Sequence, residues 1–230
     1  MPSKYRVKEY KAGGIYHVYN RGVEKRDIFM DQEDYAFFLY LIKSYLTPAK
    51  DQKENLETQL NRGAFVGKIE LLAYALMPNH YHLIVKQIGE DDLSEFMRSI
   101  MTTYVSYFNK KYERTGGLFQ GVYKAILVES DDYLLHLSRY VHLNPLKPGV
   151  NPIRATKELV SANTSYADYL GLQKTSWIKT EIILGYFAGI EKSGLYAVQN
   201  YKAFIEDIMV DEGLYLGKYA IDDSKRVGPF

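Results

Sequence analysis

Read along the chain, the order of elements is β-α-β-β-α-β followed by a further helix. This predicts an α+β fold, a ferredoxin-like βαββαβ antiparallel sheet with helices on one face and a free face on the other, with an added helix and a C-terminal helical extension. Two patterns carry the prediction. Stretches of β-forming residues that alternate at period two are interleaved with stretches whose apolar residues recur at helical spacing. After Val150 the pattern gives way to short helical pieces, so residues 1–150 are expected to form one domain and 151–230 a helical extension.

Ile15-Tyr16-His17-Val18-Tyr19-Asn20 alternates and is rich in β-formers, so it is the first strand, ended by Arg21-Gly22. His17 shares a face with Ile15 and Tyr19 and reads as a packed or hydrogen-bonded strand residue. Asp31 to Asp34 place acidic side chains in the first turn of a helix. Tyr35, Phe38, Leu39, Ile42 and Leu46 then recur at helical spacing up to Pro48. A polar loop follows from Ala49 to Gly63. Phe65 to Leu76 reads as strand and passes through a bend at Pro78-Asn79 into Ala75-Leu76-Met77-Pro78-Asn79-His80-Tyr81-His82-Leu83-Ile84-Val85, which ends near Gly89.

A second helix starts at Asp91, Asp92 or Ser94, with Leu93, Phe96, Met97, Ile100, Tyr104, Tyr107 and Phe108 as its apolar stripe. Gly116-Gly117 breaks that pattern, and Tyr123 to Glu129 is the fourth strand. Ser130 caps a third helix with Asp131 and Asp132 in its first turn, running to Asn144 and ended by Pro145 and Pro148-Gly149. Beyond Val150, helical pieces lie at Ser165–Gly171, Glu181–Phe187 and Tyr196–Val210, and residues 222–230 read as frayed.

Composition narrows the function classes. The chain of 230 residues carries 29 Lys+Arg against 28 Asp+Glu, so its net charge of +1 leaves local clusters to decide on a nucleic-acid partner. It contains 0 cysteines, which excludes disulfides, thiolate metal sites and a cysteine nucleophile. No window approaches a membrane span, and the first residues lack an apolar signal segment, so a cytoplasmic location is expected. The 22 tyrosines serve both as core fillers and as surfaces on which bases stack.

The most informative stretch is the strand that holds His80 and His82. Alternate residues of a strand point the same way, so the two imidazoles lie on one face about 6.5–7 Å apart along the chain. That pair can grip one ion but does not complete a site. In Tyr140-Val141-His142-Leu143-Asn144-Pro145, Tyr140 and Asn144 are four apart and share a helix face, whereas His142 is turned about 200° away. A tyrosine and a carboxamide brought to the histidine pair would supply a nucleophile and a hard oxygen ligand. Mg²⁺ or Mn²⁺ suits such a mixed N/O site. A metal-held phosphodiester attacked by a tyrosine hydroxyl gives a covalent phosphotyrosine, which a freed 3′-hydroxyl can reverse because phenoxide, at a pKa of about 10, leaves more readily than an alkoxide. Each motif alone has a plainer reading, as packed strand histidines and as an ordinary Asn-Pro helix end. Their conjunction with the βαββαβα order is what singles them out.

Leu76-Met77-Pro78-Asn79-His80-Tyr81-His82-Leu83-Ile84 resembles the HUH motif of the single-tyrosine (Y1) transposases of the IS200/IS605 type. Arg139 to Pro145 resembles their tyrosine helix. Gly14–Gly22, Leu93–Met97, Phe108-Asn109, Gly117–Gly121 and Tyr123–Ala125 resemble the branch called REP-associated tyrosine transposases. Ser165-Tyr166, Tyr169–Gly171 and Trp177 resemble that branch's C-terminal extension. The resemblance implies a transposase, a metal-dependent single-strand DNA endonuclease and strand transferase acting at hairpin-forming sequences through a 5′-phosphotyrosine intermediate. Tyr140 would be the nucleophile on the catalytic helix, with His80, His82 and Asn144 as ligands of Mg²⁺ or Mn²⁺.

The expected partner is single-stranded DNA with hairpin or palindromic elements, with no nucleotide cofactor, in a nucleoid-associated protein. Smaller relatives exchange the tyrosine helix between subunits, but the long extension resembles the branch that acts as a monomer. A monomer is therefore expected, with a tyrosine-helix-swapped dimer as the alternative. The family often has an arginine where this chain has Val122, so one phosphate contact is expected to be weaker. Arg21, Lys25, Arg26, Lys110, Lys111, Arg114 and Lys124 are candidate contacts to the DNA backbone, with Phe119, Tyr16 or Tyr19 available for stacking. The alternative in another class is a catalytically silent hairpin-DNA-binding regulator. A phosphodiesterase using water would cleave without a covalent species, and a 2H-type phosphoesterase is disfavoured by the single His-x-His.

Overall fold

In the computed structural model, which describes residues 10–51, 62–146, 156–188 and 194–206, the expected order of elements is present. Strands β1 (Ile15–Arg21), β2 (Ile69–Met77), β3 (His80–Gln87) and β4 (Lys124–Leu127) form one antiparallel sheet in the order β2-β3-β1-β4. Helices α1 (Gln32–Leu46) and α2 (Asp92–Lys111) cover one face, burying Tyr35, Phe38, Ile42, Phe96, Ile100 and Tyr104 against Tyr16, Val18, Tyr81, Leu83 and Val85. These are the even-odd partners that period-two alternation assigns to one side of the sheet.

The two helices are fixed to each other by a charged junction. Asp31 caps α1 in a reciprocal box with Asp34, whose side chain is fully buried. The Lys111 ammonium at the end of α2 lies 3.0 Å from Asp34 and 2.8 Å from Asp31, and the Tyr112 hydroxyl donates to Asp34 at 2.8 Å. Desolvation at this junction and the hydrogen bonds that Tyr112 donates to the carboxylates together shift Tyr112 upward to about 12.

The second face of the sheet differs from the sequence expectation, which left it open. Helix α3 (Asp131–Leu143) crosses it, and the short helices α4 (Thr156–Ser161), α5 (Tyr166–Tyr169), α6 (Glu181–Leu184) and α7 (Gly194–Glu206) pack with α3 over Leu72, Ala73, Ala75, Met77 and Ile84. A face carrying those side chains is too apolar to leave in water, and the extension supplies the second layer. Residues 163–165 and 178–179 also hydrogen-bond to the outer edge of β2, through Leu76 N–H to Asn163 O, Ser165 N–H to Tyr74 O and Lys179 N–H to Leu71 O. The boundary expected at 150 lies outside the described residues, as do the basic residues Lys4, Arg6 and Lys8 and the chain beyond 206.

Other element ends moved little. β2 begins at Ile69 because Phe65 sits in a preceding turn, packed edge to face on Phe96 at 5.3 Å. Pro78-Asn79 is a two-residue hairpin connection between β2 and β3 instead of a bend within a strand. Ser130 caps α3 as expected, accepting from Tyr133 N–H at 3.2 Å. Replacing Asp34 with alanine leaves the Lys111 ammonium short of its buried partner and removes half of the capping box. A loss of about 2–4 kcal/mol in unfolding free energy by urea titration is expected, and a loss under about 0.5 kcal/mol would show that the junction is not a determinant of stability.

Candidate active site

The antiparallel register assembles the site row by row. Ala75, His82, Tyr19 and Lys124 are Cα partners across the four strands, and Met77, His80 and Arg21 form the next row. Paired residues share a face, so His80, His82, Tyr19, Arg21 and Lys124 all point to the side crossed by α3. His17 lies one row below on the same side, opposite Ile84. A bulge at Leu72 in β2 keeps this phase, since Leu71 pairs with Val85 on the helix-covered side and Ala73 with Ile84 on the other.

The hairpin at Pro78-Asn79 is held rigidly by the segment after β1. Pro78 O accepts from Ile28 N–H at 2.7 Å and Phe29 N–H at 3.0 Å, and Asn79 O accepts from Gly22 N–H at 2.9 Å. A Cβ at Gly22 would meet Arg26 O at 2.1 Å, so only glycine permits this approach. Glu24 and Lys25 both adopt left-handed backbone, and Lys25 O accepts from the Asn79 amide at 3.2 Å. That bond fixes which end of Asn79 faces the site. Its Oδ1 accepts from His80 Nδ1–H at 2.6 Å, which leaves the Nε2 lone pair of a neutral His80 directed away from the turn.

His82 is oriented in a similar way. It is fully buried, its Nδ1 is 2.7 Å from His17 Nε2, and its own Nε2 is buried without a hydrogen-bond partner. When His82 Nδ1–H donates to His17, the bare Nε2 points into the site, which is the tautomer that metal ligation needs. Burial lowers the pKa of His82 well below the usual histidine range, with the nearby His17 and His80 adding to it. Burial alone lowers His17 to about 3.

Helix α3 completes the arrangement within the same chain. Asn144 Oδ1 lies 3.3 Å from His80 Nε2, and the Tyr140 ring meets the His82 ring edge to face at 5.3 Å and that of His17 at 6.3 Å. The Tyr140 side chain is 8% exposed at the mouth of this cluster. Two lone-pair atoms, His80 Nε2 and Asn144 Oδ1, thus face each other beside the unpartnered Nε2 of His82. This donor set fits a small divalent cation with mixed nitrogen and oxygen ligands. Among the described residues no group of three His, Cys, Asp or Glu side chains is placed to hold a metal.

The basic residues expected to meet DNA separate into two groups. Arg21 and Lys124 flank the histidines, and with Tyr19, Asn20, Gln120 and Val122 they line a cavity of about 250 Å³. Arg21 Nε is buried without a hydrogen-bond partner, and Lys124 Nζ lies 5.6 Å over the Tyr19 ring. Lys25 is exposed on the turn after β1, where its carbonyl accepts from the Asn79 amide, and Arg26 is paired with Glu24 at 2.9 Å. Lys110, Lys111 and Arg114 instead sit at the end of α2, on the opposite side of the sheet. Lys111 is occupied by Asp31, Glu33 and Asp34, and the Arg114 guanidinium lies 5.7 Å from the Phe108 ring. Phe119 meets Tyr81 at 6.0 Å and lines a separate cavity of about 700 Å³ against Met97, Met101 and Val105. Tyr16 is fully buried in the core and offers no stacking surface, whereas Tyr19 borders the site.

Sequence reasoning missed Asn79 as the residue that orients His80, although it adjoins the motif, and it gave His17 no part in orienting His82. The folded pKa values of His17 and His142 near 3, well below the unfolded histidine value of about 6.5, set a pH dependence. The stability these groups contribute is present above pH 6.5 and is lost as pH falls toward 3. In chelator, the melting temperature should fall by several degrees between pH 7 and pH 5, with each histidine contributing up to about 2 kcal/mol of lost stability. This window lies above the carboxylate range, and a flat melting temperature across it would contradict neutral buried imidazoles.

Three comparisons place this geometry among known proteins. Residues 40–144 match the family model described as "Transposase IS200 like". A solved structure of a REP-associated tyrosine transposase bound to a REP hairpin is 18% identical, with a TM-score of 0.50, and the match covers 77% of this chain and 97% of that one. At that identity it shows a shared fold. Transfer RNA(His) guanylyltransferase from Saccharomyces cerevisiae matches at 13% identity over 70% of this chain and 76% of its own, and its TM-score of 0.32 carries no argument. No curated protein matches the chain.

Proposed function

We propose that the chain, whose residues 40–144 match the IS200-like transposase family model, nicks and rejoins single-stranded DNA at hairpin-forming sequences with Tyr140 as nucleophile, in the manner of the REP-associated branch. The observation that carries this reading is the convergence, in one chain, of the Tyr140 ring at 5.3 Å from His82 and Asn144 Oδ1 at 3.3 Å from His80 Nε2. The likeness in fold to a transposase solved on a REP hairpin supports the choice of partner. Assembly of all four side chains by a single chain supports action as a monomer.

In this mechanism the Tyr140 hydroxyl attacks the scissile phosphorus. The Oη–P bond forms, the P–O3′ bond breaks, and the phenolic proton ends on the departing 3′-oxygen, leaving a 5′-phosphotyrosine and a free 3′-hydroxyl. The return step is the reverse, with a 3′-hydroxyl attacking and tyrosine leaving. His80, His82 and Asn144 would hold a Mg²⁺ or Mn²⁺ ion, which supplies charge neutralisation at a phosphoryl oxygen. Asn79 and His17 keep the two imidazoles in the orientation that this requires. Arg21 contributes a guanidinium whose Nε has no hydrogen-bond partner among the described residues, and Lys124 a second positive charge across Tyr19, so the strand's phosphates meet cations beside the histidine row. Val122, 69% exposed at the rim of the same cavity, adds no charge there.

Incubation with Mn²⁺ and a 3′-labelled single-stranded hairpin should give a labelled covalent adduct resolved on a denaturing gel. Tyr140→Phe should abolish it, and an adduct that persists in that variant would remove Tyr140 from the role. Tight hairpin binding with no cleavage by the wild type under any divalent ion would instead favour the silent regulator, and cleavage without an adduct would favour hydrolysis by water.

The Arg21→Ala change tests the phosphate contact separately. Binding should weaken across all hairpin sequences alike, and the slope of log affinity against log salt should shrink by about 0.7. An unchanged slope would place Arg21 off the DNA path.

A further inference from the structure

His142 lies on α3 between Tyr140 and Asn144 but faces the other way, and it is fully buried. Both of its ring nitrogens are used. Nε2 is 2.8 Å from Ser165 Oγ and Nδ1 is 2.7 Å from the Tyr201 hydroxyl, so one histidine joins α3 to two separate parts of the C-terminal extension. Tyr74 N–H of β2 donates to Ser165 Oγ at 3.0 Å, the Tyr201 hydroxyl donates to Ser138 Oγ at 3.1 Å, and Ser138 donates to Leu135 O at 2.7 Å. With neutral His142 carrying its proton on Nδ1, every donor in this path finds an acceptor, from the β2 backbone through Ser165, His142 and Tyr201 back to α3. Ser165, Tyr201 and Ser138 are themselves fully buried, and the Tyr169 ring packs on His142 at 4.8 Å.

We propose that this path is a positioning clamp in which His142, pinned between Ser165 and Tyr201, sets the rotation and height of α3 so that Tyr140 and Asn144 meet His80 and His82. The proposal rests on the reading of Tyr140 as nucleophile and Asn144 as ligand. Its physical basis is the helix itself. One residue of slip moves a side chain by about 1.5 Å and turns it by about 100°, and apolar packing by Leu134, Leu137 and Val141 does not fix either coordinate sharply. Directional hydrogen bonds to a buried imidazole do. The two faces of α3 thereby have separate tasks, with Tyr140 and Asn144 on the chemistry and His142 on the register.

The test uses the full chain in three forms, wild type, His142→Ala and Tyr201→Phe. The last removes one hydroxyl and keeps the aromatic packing, so it guards against a variant that fails to fold. Circular dichroism first establishes that each variant is folded at the assay temperature. Two readouts follow, the rate of adduct formation at saturating labelled hairpin and the affinity for Mn²⁺ without DNA by electron paramagnetic resonance. Misplacement on the scale of 1 Å costs about 100-fold in rate, so His142→Ala should lower the rate by about 10–100-fold, weaken Mn²⁺ about 10-fold through Asn144, and leave hairpin affinity within about twofold. Tyr201→Phe should fall between it and wild type on both readouts.

Wild-type rate and Mn²⁺ affinity in both folded variants would overturn the clamp. So would parallel losses of rate, Mn²⁺ affinity and hairpin affinity that track the unfolded fraction, which is the result of a purely structural role. A wild-type chain that binds Mn²⁺ but forms no adduct would sink the role of Tyr140, while the Mn²⁺ readout still decides whether His142 places Asn144.

Discussion

The antiparallel register between β1 and β3 is the constraint on which the rest of the site depends. It sets Tyr19 opposite His82 and Arg21 opposite His80, and it puts His17 where its imidazole reaches His82. A slip of one residue would reverse every side chain on the strand and send the histidines into the helix-covered core. The register is held from both ends. The turn at Pro78-Asn79 is tied to residues 22–29, and the Asp34 junction fixes the helices that press on the opposite face. Rigid elements therefore carry the chemistry, and the polar atoms around the histidines need few adjustments of their own.

That same rigidity fixes which nitrogen of each imidazole faces the site, at fully buried His82 and at half-buried His80. Each has one nitrogen occupied by a neighbour chosen for it, Asn79 for His80 and His17 for His82, and the other directed toward Asn144 and Tyr140. Leaving the His82 Nε2 unpartnered costs the protein about 1–3 kcal/mol. On the reading proposed above, a cation bound there would recover that cost.

Much of this was legible in the sequence because it follows from local periodicity. Alternation put His80 and His82 on one face, a four-residue spacing put Tyr140 with Asn144, and Ser130 announced the start of α3. What escaped was set by contacts between distant segments. Nothing local to Lys111 reveals the three carboxylates near the start of α1 that occupy it, and nothing local to His17 reveals its partner 65 residues away. The second layer over the sheet was missed for the same reason. Its short helices have weak periodicity of their own and find their place only against Leu72, Ala75 and Ile84.

The covering of β2 has a consequence for the boundaries of the fold. β2 is the outermost strand on its side of the sheet, and its outward N–H and C=O groups are taken up by residues 163–165 and 178–179. A fragment ending after α3 would keep every residue of the proposed catalytic constellation and yet present a bare strand edge beside a stripped apolar face. Such an edge is a template for pairing with a second copy. The extension thus also covers an edge that would otherwise be open to self-association.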